Sequence, residues 1–262
     1  MEKIKVFLSD PQILFREGIH FTLSAEEDFE VIGKATNNEE AFTFIENNPP
    51  NVAILNMRDG KLDGPATTRR IKRNLPSISV ILVMDSENEE HLFSMVKSGA
   101  SAYLTKSIDP EYLIDIIRVV AQGSQPIIEA LLMPELASKA LVEFEDIATM
   151  SGQLNNLLAH LSPKETEILG SIAAGNEVEQ VATKLKINEE TIRRNLRSIL
   201  NKLVANDQAR AVIEAAQRSL PSLISGAVRA SKPSSEYVTR DEFSEFKDSL
   251  TQRLKSLIGE LA

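Results

Sequence analysis

Five short apolar runs, separated by longer amphipathic stretches, fill the first 123 residues and restrict the fold most tightly. The runs are Ile4–Leu8, Val31–Ile32 with their neighbours, Val52–Leu55, Val80–Val83 and Ala102–Leu104. Each is apolar throughout rather than alternating, the pattern of strands buried on both faces of a parallel sheet. Helix-like spacing covers 13–25, 38–47, 64–74, 87–98 and 109–121. Asn37 or Asn38 suits the second helix as a cap, and Asp109-Pro110 suits the fifth, with proline in its first turn. A strand–helix unit repeated five times predicts an α/β doubly wound five-stranded parallel sheet. Its function is expected at the carboxyl ends of the strands.

Landmarks along this segment recur in a fixed order. They are Phe15-Arg16-Glu17-Gly18, Leu62-Asp63-Gly64, Lys97-Ser98-Gly99-Ala100, Ala102-Tyr103-Leu104 and Lys106. In these residues the segment resembles the receiver domain of bacterial response regulators, over its whole length. The resemblance implies Mg²⁺ held by acids after the first strand and a phosphoacceptor aspartate ending the third. The sequence departs from that pattern. The acid pair reads Asp10-Pro11, the third strand ends in Asn56, and Met84 stands where a hydroxyl residue is usual. Of the pocket residues, Asp10 and Lys106 remain. A carboxamide is a poor nucleophile, and one carboxylate is a poor Mg²⁺ site. A degenerate pocket of Asp10, Asn56, Met84 and Lys106 is expected, with Asp10 and Lys106 as an ion pair. Asp59 and Asp85 are the other carboxylates near it.

Gly123-Ser124-Gln125-Pro126 ends the first domain by turn chemistry, and residues 124–160 read as a helical linker with a helix over 134–147. From 161 to 220 four helical segments follow, an all-α domain. Ser162-Pro163-Lys164-Glu165 is a capping box with proline at the first helical position. Gly175 suits the left-handed end of that helix. Val178, Val181, Ala182 and Leu185 mark the second helix, and Lys186-Ile187-Asn188 the turn after it. In the third, Ile192, Leu196, Ile199 and Leu203 fall on one face, and a fourth helix is expected from about Asp207.

Between Thr191 and Leu203 stand four basic residues and no acidic one, in a chain of net charge −9. Two short helices joined by a tight turn, the second basic, follow helix-turn-helix logic. Leu161 to Glu165, Ala174-Gly175, Val181-Ala182, Leu185, Asn188 to Thr191, Ile199-Leu200 and Lys202-Leu203 resemble the LuxR-type DNA-binding domain. A receiver followed by that domain is the NarL/FixJ architecture. The resemblance implies double-stranded DNA as the partner, with Thr191, Arg193, Arg194, Asn195, Arg197 and Lys202 as the DNA-contacting set. Arginine reads guanine or phosphate, while Thr191 and Lys202 suit phosphate. Over 161–220, nine basic and eight acidic residues leave 9 − 8 = +1, so binding should be weak per copy and salt-dependent.

Residues 221–238 read as a flexible linker. In 239–262, Phe243, Phe246, Leu250, Leu254, Leu257 and Leu261 recur at helical spacing behind a capping box. This amphipathic helix is expected to self-associate as a coiled coil, giving a homodimer or higher homo-oligomer through receiver and C-terminal helix; packing back on the body, or binding another protein, are the alternatives. With no cysteine and with His20, His91 and His160 far apart, no metal or other cofactor is expected. No stretch is long and apolar enough to span a membrane, and a cytoplasmic protein is expected. The sequence therefore points to a sequence-specific transcriptional regulator, not an enzyme, that is independent of aspartyl phosphorylation. An interaction adaptor with a receiver-like docking domain, and a phosphorelay regulator using another aspartate, are the alternatives.

Overall fold

The computed structural model describes residues 3–58, 62–86, 89–149 and 158–229. Strands β1 (Ile4–Ser9), β2 (Phe29–Ala35), β3 (Val52–Asn56), β4 (Ser79–Met84) and β5 (Ala102–Thr105) form one sheet in the order β2-β1-β3-β4-β5. All neighbours are parallel, with a register shift in the β1–β2 pairing, where Val6 faces Val31 and Phe7 faces Gly33. Helices α1 (Ile13–Ser24), α2 (Asn38–Asn47), α3 (Gly64–Asn74), α4 (Glu89–Ser98) and α5 (Pro110–Ala121) connect and follow the strands. Every residue of β3 and β4 is buried, as their unbroken apolar runs require.

Caps set the helix starts. Asn37, rather than Asn38, caps α2 by accepting from the Glu40 amide at 2.9 Å, and Asp109 caps α5 ahead of Pro110. Asn38 is buried instead.

One face of the sheet packs Val6, Leu8, Ile54, Ile81 and Val83 against α1 and α5 through Ile19, Leu23, Leu113 and Ile117. The other face packs Phe7, Leu55, Val80 and Leu82 toward α2, α3 and α4. That second core does not stop at the sheet domain. It continues through a 3-10 turn, Pro126–Leu132, and α6 (Pro134–Thr149) into the helix-turn-helix segment. Ile127, Leu131, Leu136 and Phe144 are buried links in this chain.

The helix-turn-helix segment comprises α7 (Pro163–Ala173), α8 (Val178–Leu185) and α9 (Glu189–Arg229). The Ser162 hydroxyl accepts from the Glu165 amide at 3.3 Å, and the Glu165 carboxylate accepts from the Ser162 amide at 2.7 Å, completing the capping box. Gly175 takes φ +83° after α7. The turn between α8 and α9 passes through Lys186 at φ 52°, a left-handed position held here by a non-glycine residue.

Two boundaries differ from the sequence reading. No break separates a third helix from a fourth, and residues 221–229 are helical rather than linker. The sequence from Leu203 to Leu220 holds neither glycine nor proline and is rich in alanine, so nothing stops the helix there. The expected C-terminal helix, 239–262, lies outside the described residues, as do 150–157 of the linker.

Candidate functional site

Helix α9, which the LuxR-type resemblance makes the groove helix, is built from its buried side outward. Ile192, Leu196, Ile199 and Leu203 are at most 1% exposed, which fixes the roll of α9. Arg193, Arg194 and Arg197 are consequently turned to the surface. The Asn188 carboxamide accepts from the Thr191 amide at 2.8 Å and starts the helix. This end of α9 therefore presents exposed guanidiniums, the chemistry that binds phosphates and base edges, behind the exposed carboxylates of Glu189 and Glu190.

The candidate residues do not stand equally available. Arg194 and Arg197 are exposed, with no ion pair among the described residues. Arg193 is paired with Glu129 of the 3-10 turn. Half-buried Asn195 donates its amide back to the Thr191 carbonyl at 2.7 Å. Thr191 is half-buried. Lys202 points inward and donates to Glu165 at 2.6 Å. Glu165 is 3% exposed. Burial pushes its carboxyl up, but the Lys202 ammonium and the Ser162 amide outweigh burial and hold it at about 2. In this arrangement Lys202 ties α9 to α7.

The second constellation lies at the carboxyl ends of β1, β3, β4 and β5. Asp10 and Asn56 are each 4% exposed. The Asn56 amide donates to Asp10 Oδ2 at 2.6 Å, and its carbonyl oxygen accepts from the Arg58 backbone amide at 2.8 Å. Lys106 Nζ lies 2.9 Å from Asp10 Oδ2 and 3.1 Å from Asp85 Oδ1. The Gln12 amide takes Asp10 Oδ1 at 2.7 Å. Asn38 braces the site from α2: it donates to the carbonyls of Asn56 at 3.0 Å and Leu62 at 3.2 Å and accepts from the Ser9 hydroxyl at 3.1 Å. Met84 is 3% exposed and packs into the core. A cavity of about 140 Å³ remains, bordered by Asn56, Arg58, Met84, Asp85, Ser86 and His91.

This donor set does not fit Mg²⁺. The ion demands hard oxygens in near-octahedral order. Here both Asp10 oxygens are engaged by Lys106, Asn56 and Gln12, residue 11 is proline, and the Asn56 oxygen is turned to a backbone amide. Among the described residues no group of three acidic or histidine side chains gathers for a metal.

Comparison with known proteins agrees with this division into two constellations. Residues 6–118 match the response regulator receiver domain, and residues 159–215 match the bacterial regulatory proteins of the luxR family. The chain is 29% identical to the transcriptional regulatory protein DegU of Brevibacillus brevis over 81% of this chain and 92% of that protein. It is 28% identical to the response regulator protein VraR of Staphylococcus epidermidis, over 83% of this chain and 98% of that one.

This chain is a response regulator. Its type is a receiver followed by a LuxR-type DNA-binding domain, and its family is one of transcriptional regulators. A solved structure of the RcsB response regulator of Salmonella typhimurium is similar at 23% identity and a TM-score of 0.45, over 78% of this chain and 93% of that one.

Within this response regulator, the sequence reading located Asp10, Asn56, Met84 and Lys106, and the fold brings all four to one end of the sheet. It missed Asn38, whose run of two asparagines disguised a buried brace as a second cap. It also missed Asp85 as the second partner of Lys106, and Glu129. Asp59 lies outside the described residues.

Proposed function

We propose that this response regulator binds double-stranded DNA site-specifically as a homodimer and acts without aspartyl phosphorylation. The observation that carries the second part is the Asn56–Asp10 hydrogen bond. A carboxamide nitrogen donates into the space between the two side chains, where the family's chemistry needs a cation between two carboxylates. Asn56 supplies no nucleophilic oxygen, and Lys106 is already neutralised by two aspartates. The pocket is satisfied as it stands and has no chemistry to perform, so we assign no catalytic residue. Incubation with acetyl phosphate and Mg²⁺ followed by intact-mass measurement is the test. No phosphate adduct is expected; an adduct on any aspartate overturns phosphorylation independence.

For DNA, Arg193, Arg194 and Arg197 are the proposed contacts to bases and phosphates, with Thr191 and Asn195 supporting the helix start and Lys202 acting structurally. Gel shifts over a salt series should show Arg194→Gln and Arg197→Gln each weakening binding and reducing the salt slope by about one.

For the dimer, Ile13, Leu14 and Phe21 on α1 stand 64, 89 and 79% exposed. Such a patch of large apolar side chains is the receiver's proposed self-association face. Light scattering should show Leu14→Glu and Phe21→Glu shifting the chain toward monomer. A DNA-bound regulator works where the chromosome is, so we place it in the cytoplasm. Among the described residues no helix is long and apolar enough to cross a membrane.

A further inference from the structure

Among the described residues, Arg193 is the one exposed arginine of the groove helix already held by a carboxylate. Its partner, Glu129, is 64 residues away in sequence and belongs to the 3-10 turn that follows the receiver. That turn is anchored. Ile127 and Leu131 are fully buried, Ile128 and Ala130 nearly so, and the Ile127 amide donates to the Ser101 carbonyl at 3.0 Å, just before β5. Glu129 is the side chain the turn leaves outside, and it points to Arg193.

The position of α9 is fixed by other charges, so Arg193 cannot easily move off. Asp207 pairs with Arg69 of α3, Arg210 pairs with Glu143 of α6 at 2.6 Å, and Lys97 of α4 reaches the same Glu143 at 3.0 Å. These pairs and the shared apolar core hold the groove helix against the receiver with Arg193 beside Glu129.

We propose that Glu129 is an internal competitor for DNA, occupying through its carboxylate the guanidinium that a phosphate or a guanine edge would take. This rests on the DNA-contacting role given to Arg193 above. A guanidinium fork that faces a carboxylate presents its donors to one anion at a time. The receiver thereby acts on DNA affinity through a turn rooted at β5, with no phosphate chemistry required. Both partners are about half exposed, at 46% and 55%, so the competition is graded rather than absolute. An exposed ion pair of this kind corresponds to roughly 1.4- to 5-fold in affinity.

The test uses the full chain and a fluorescein-labelled random-sequence 30-bp duplex at low salt, read by anisotropy. Glu129→Gln should bind about 1.4- to 5-fold more tightly than wild type. Glu135→Gln removes the same charge from an exposed neighbour and controls for net charge. The gain should vanish when Glu129→Gln is made in an Arg193→Gln chain. Equal gains for Glu129→Gln and Glu135→Gln, or a gain that persists without Arg193, overturns the proposal. Phenylglyoxal labelling, read by peptide mass spectrometry with Arg194 as internal reference, keeps the two layers apart. If Glu129→Gln raises Arg193 labelling while no chain binds the duplex, the contact is real but the DNA reading fails. If the chains bind the duplex but Arg193 labelling is unchanged, the DNA reading stands and the competitor is refuted.

Discussion

Replacing Glu165 by Gln removes a charge but keeps an oxygen for the Ser162 amide, so it isolates the ion pair with Lys202. In the folded chain this carboxyl sits at about 2 against an ordinary 4.5. A displacement of that size corresponds to ~3 kcal/mol, at about 1.36 kcal/mol per pH unit. The sign follows from the direction. A depressed carboxyl stabilises the fold fully above its unfolded value, near 4.5, and that stabilisation is lost as pH falls from there toward 2. At pH 7, amide hydrogen exchange should show α7 and the first turns of α9 opening more easily in Glu165→Gln, by up to ~3 kcal/mol. On acidification the wild-type advantage should shrink, and near pH 2 the two chains should nearly converge, because the folded wild-type carboxyl is then taking up its proton too. A difference below about 0.5 kcal/mol at pH 7, within the usual range for innocuous surface changes, would refute the reasoning. So would a difference that does not change with pH.

Lys202→Gln should reproduce that loss of protection while leaving the salt slope of DNA binding unchanged, checked by exchange and by a salt series; a slope reduced by about one would return Lys202 to the phosphate contacts. Asn206→Ala should destabilise the docking of the segment before α7 by about 2 kcal/mol, because the buried Asn206 holds the Ala159 amide at 2.7 Å and its carbonyl at 2.9 Å; urea unfolding reads it. Gly64→Ala should destabilise the receiver, since a Cβ there would meet the Asn56 carbonyl oxygen and a Leu82 methyl at 2.7 Å, and a thermal melt should show it. Asn56→Asp should lower the melting temperature in EDTA, because it sets a carboxylate against Asp10 at the 2.6 Å now spanned by a hydrogen bond.

The sheet domain was legible because its strands are apolar on both faces and its helices carry caps, so period and punctuation agree. The pocket was legible for a different reason. A parallel sheet sends the residue ending each strand to one edge, so Asp10, Asn56, Met84 and Lys106 converge once the strand order is fixed. Asn38 was not legible. Two adjacent asparagines satisfy the same capping pattern, and only the packing against β1 and β3 decides which one is buried. Helix α9 was misjudged past Leu203 because amphipathic spacing was read as two helices, whereas no glycine or proline interrupts the chain from Leu203 to Leu220. The ion pairs of Arg193 and Lys202 were out of reach for a general reason. Nothing in local sequence encodes a partner that tertiary packing supplies from far along the chain.

Those long-range partners change what the groove helix is. Read alone, it is a row of basic residues awaiting DNA. In the fold, its two ends meet opposite treatments. Lys202 is committed to Glu165, a carboxylate 3% exposed, and breaking that pair leaves a buried charge, so this bond belongs to the architecture of the domain. Arg193 meets a carboxylate half open to water, where exchange for another anion costs little, which is what the proposed competition with DNA requires. The same chemistry, a cation on a glutamate, is structural in one place and exchangeable in the other, and burial decides which. The receiver enters this balance through packing alone. Its core runs without interruption from β4 through Leu131 and Phe144 to Ile192, so any ligand or partner that shifts the turn at Glu129 acts directly on Arg193. A receiver with asparagine at the acceptor position is thus joined to the basic helix through one continuous core.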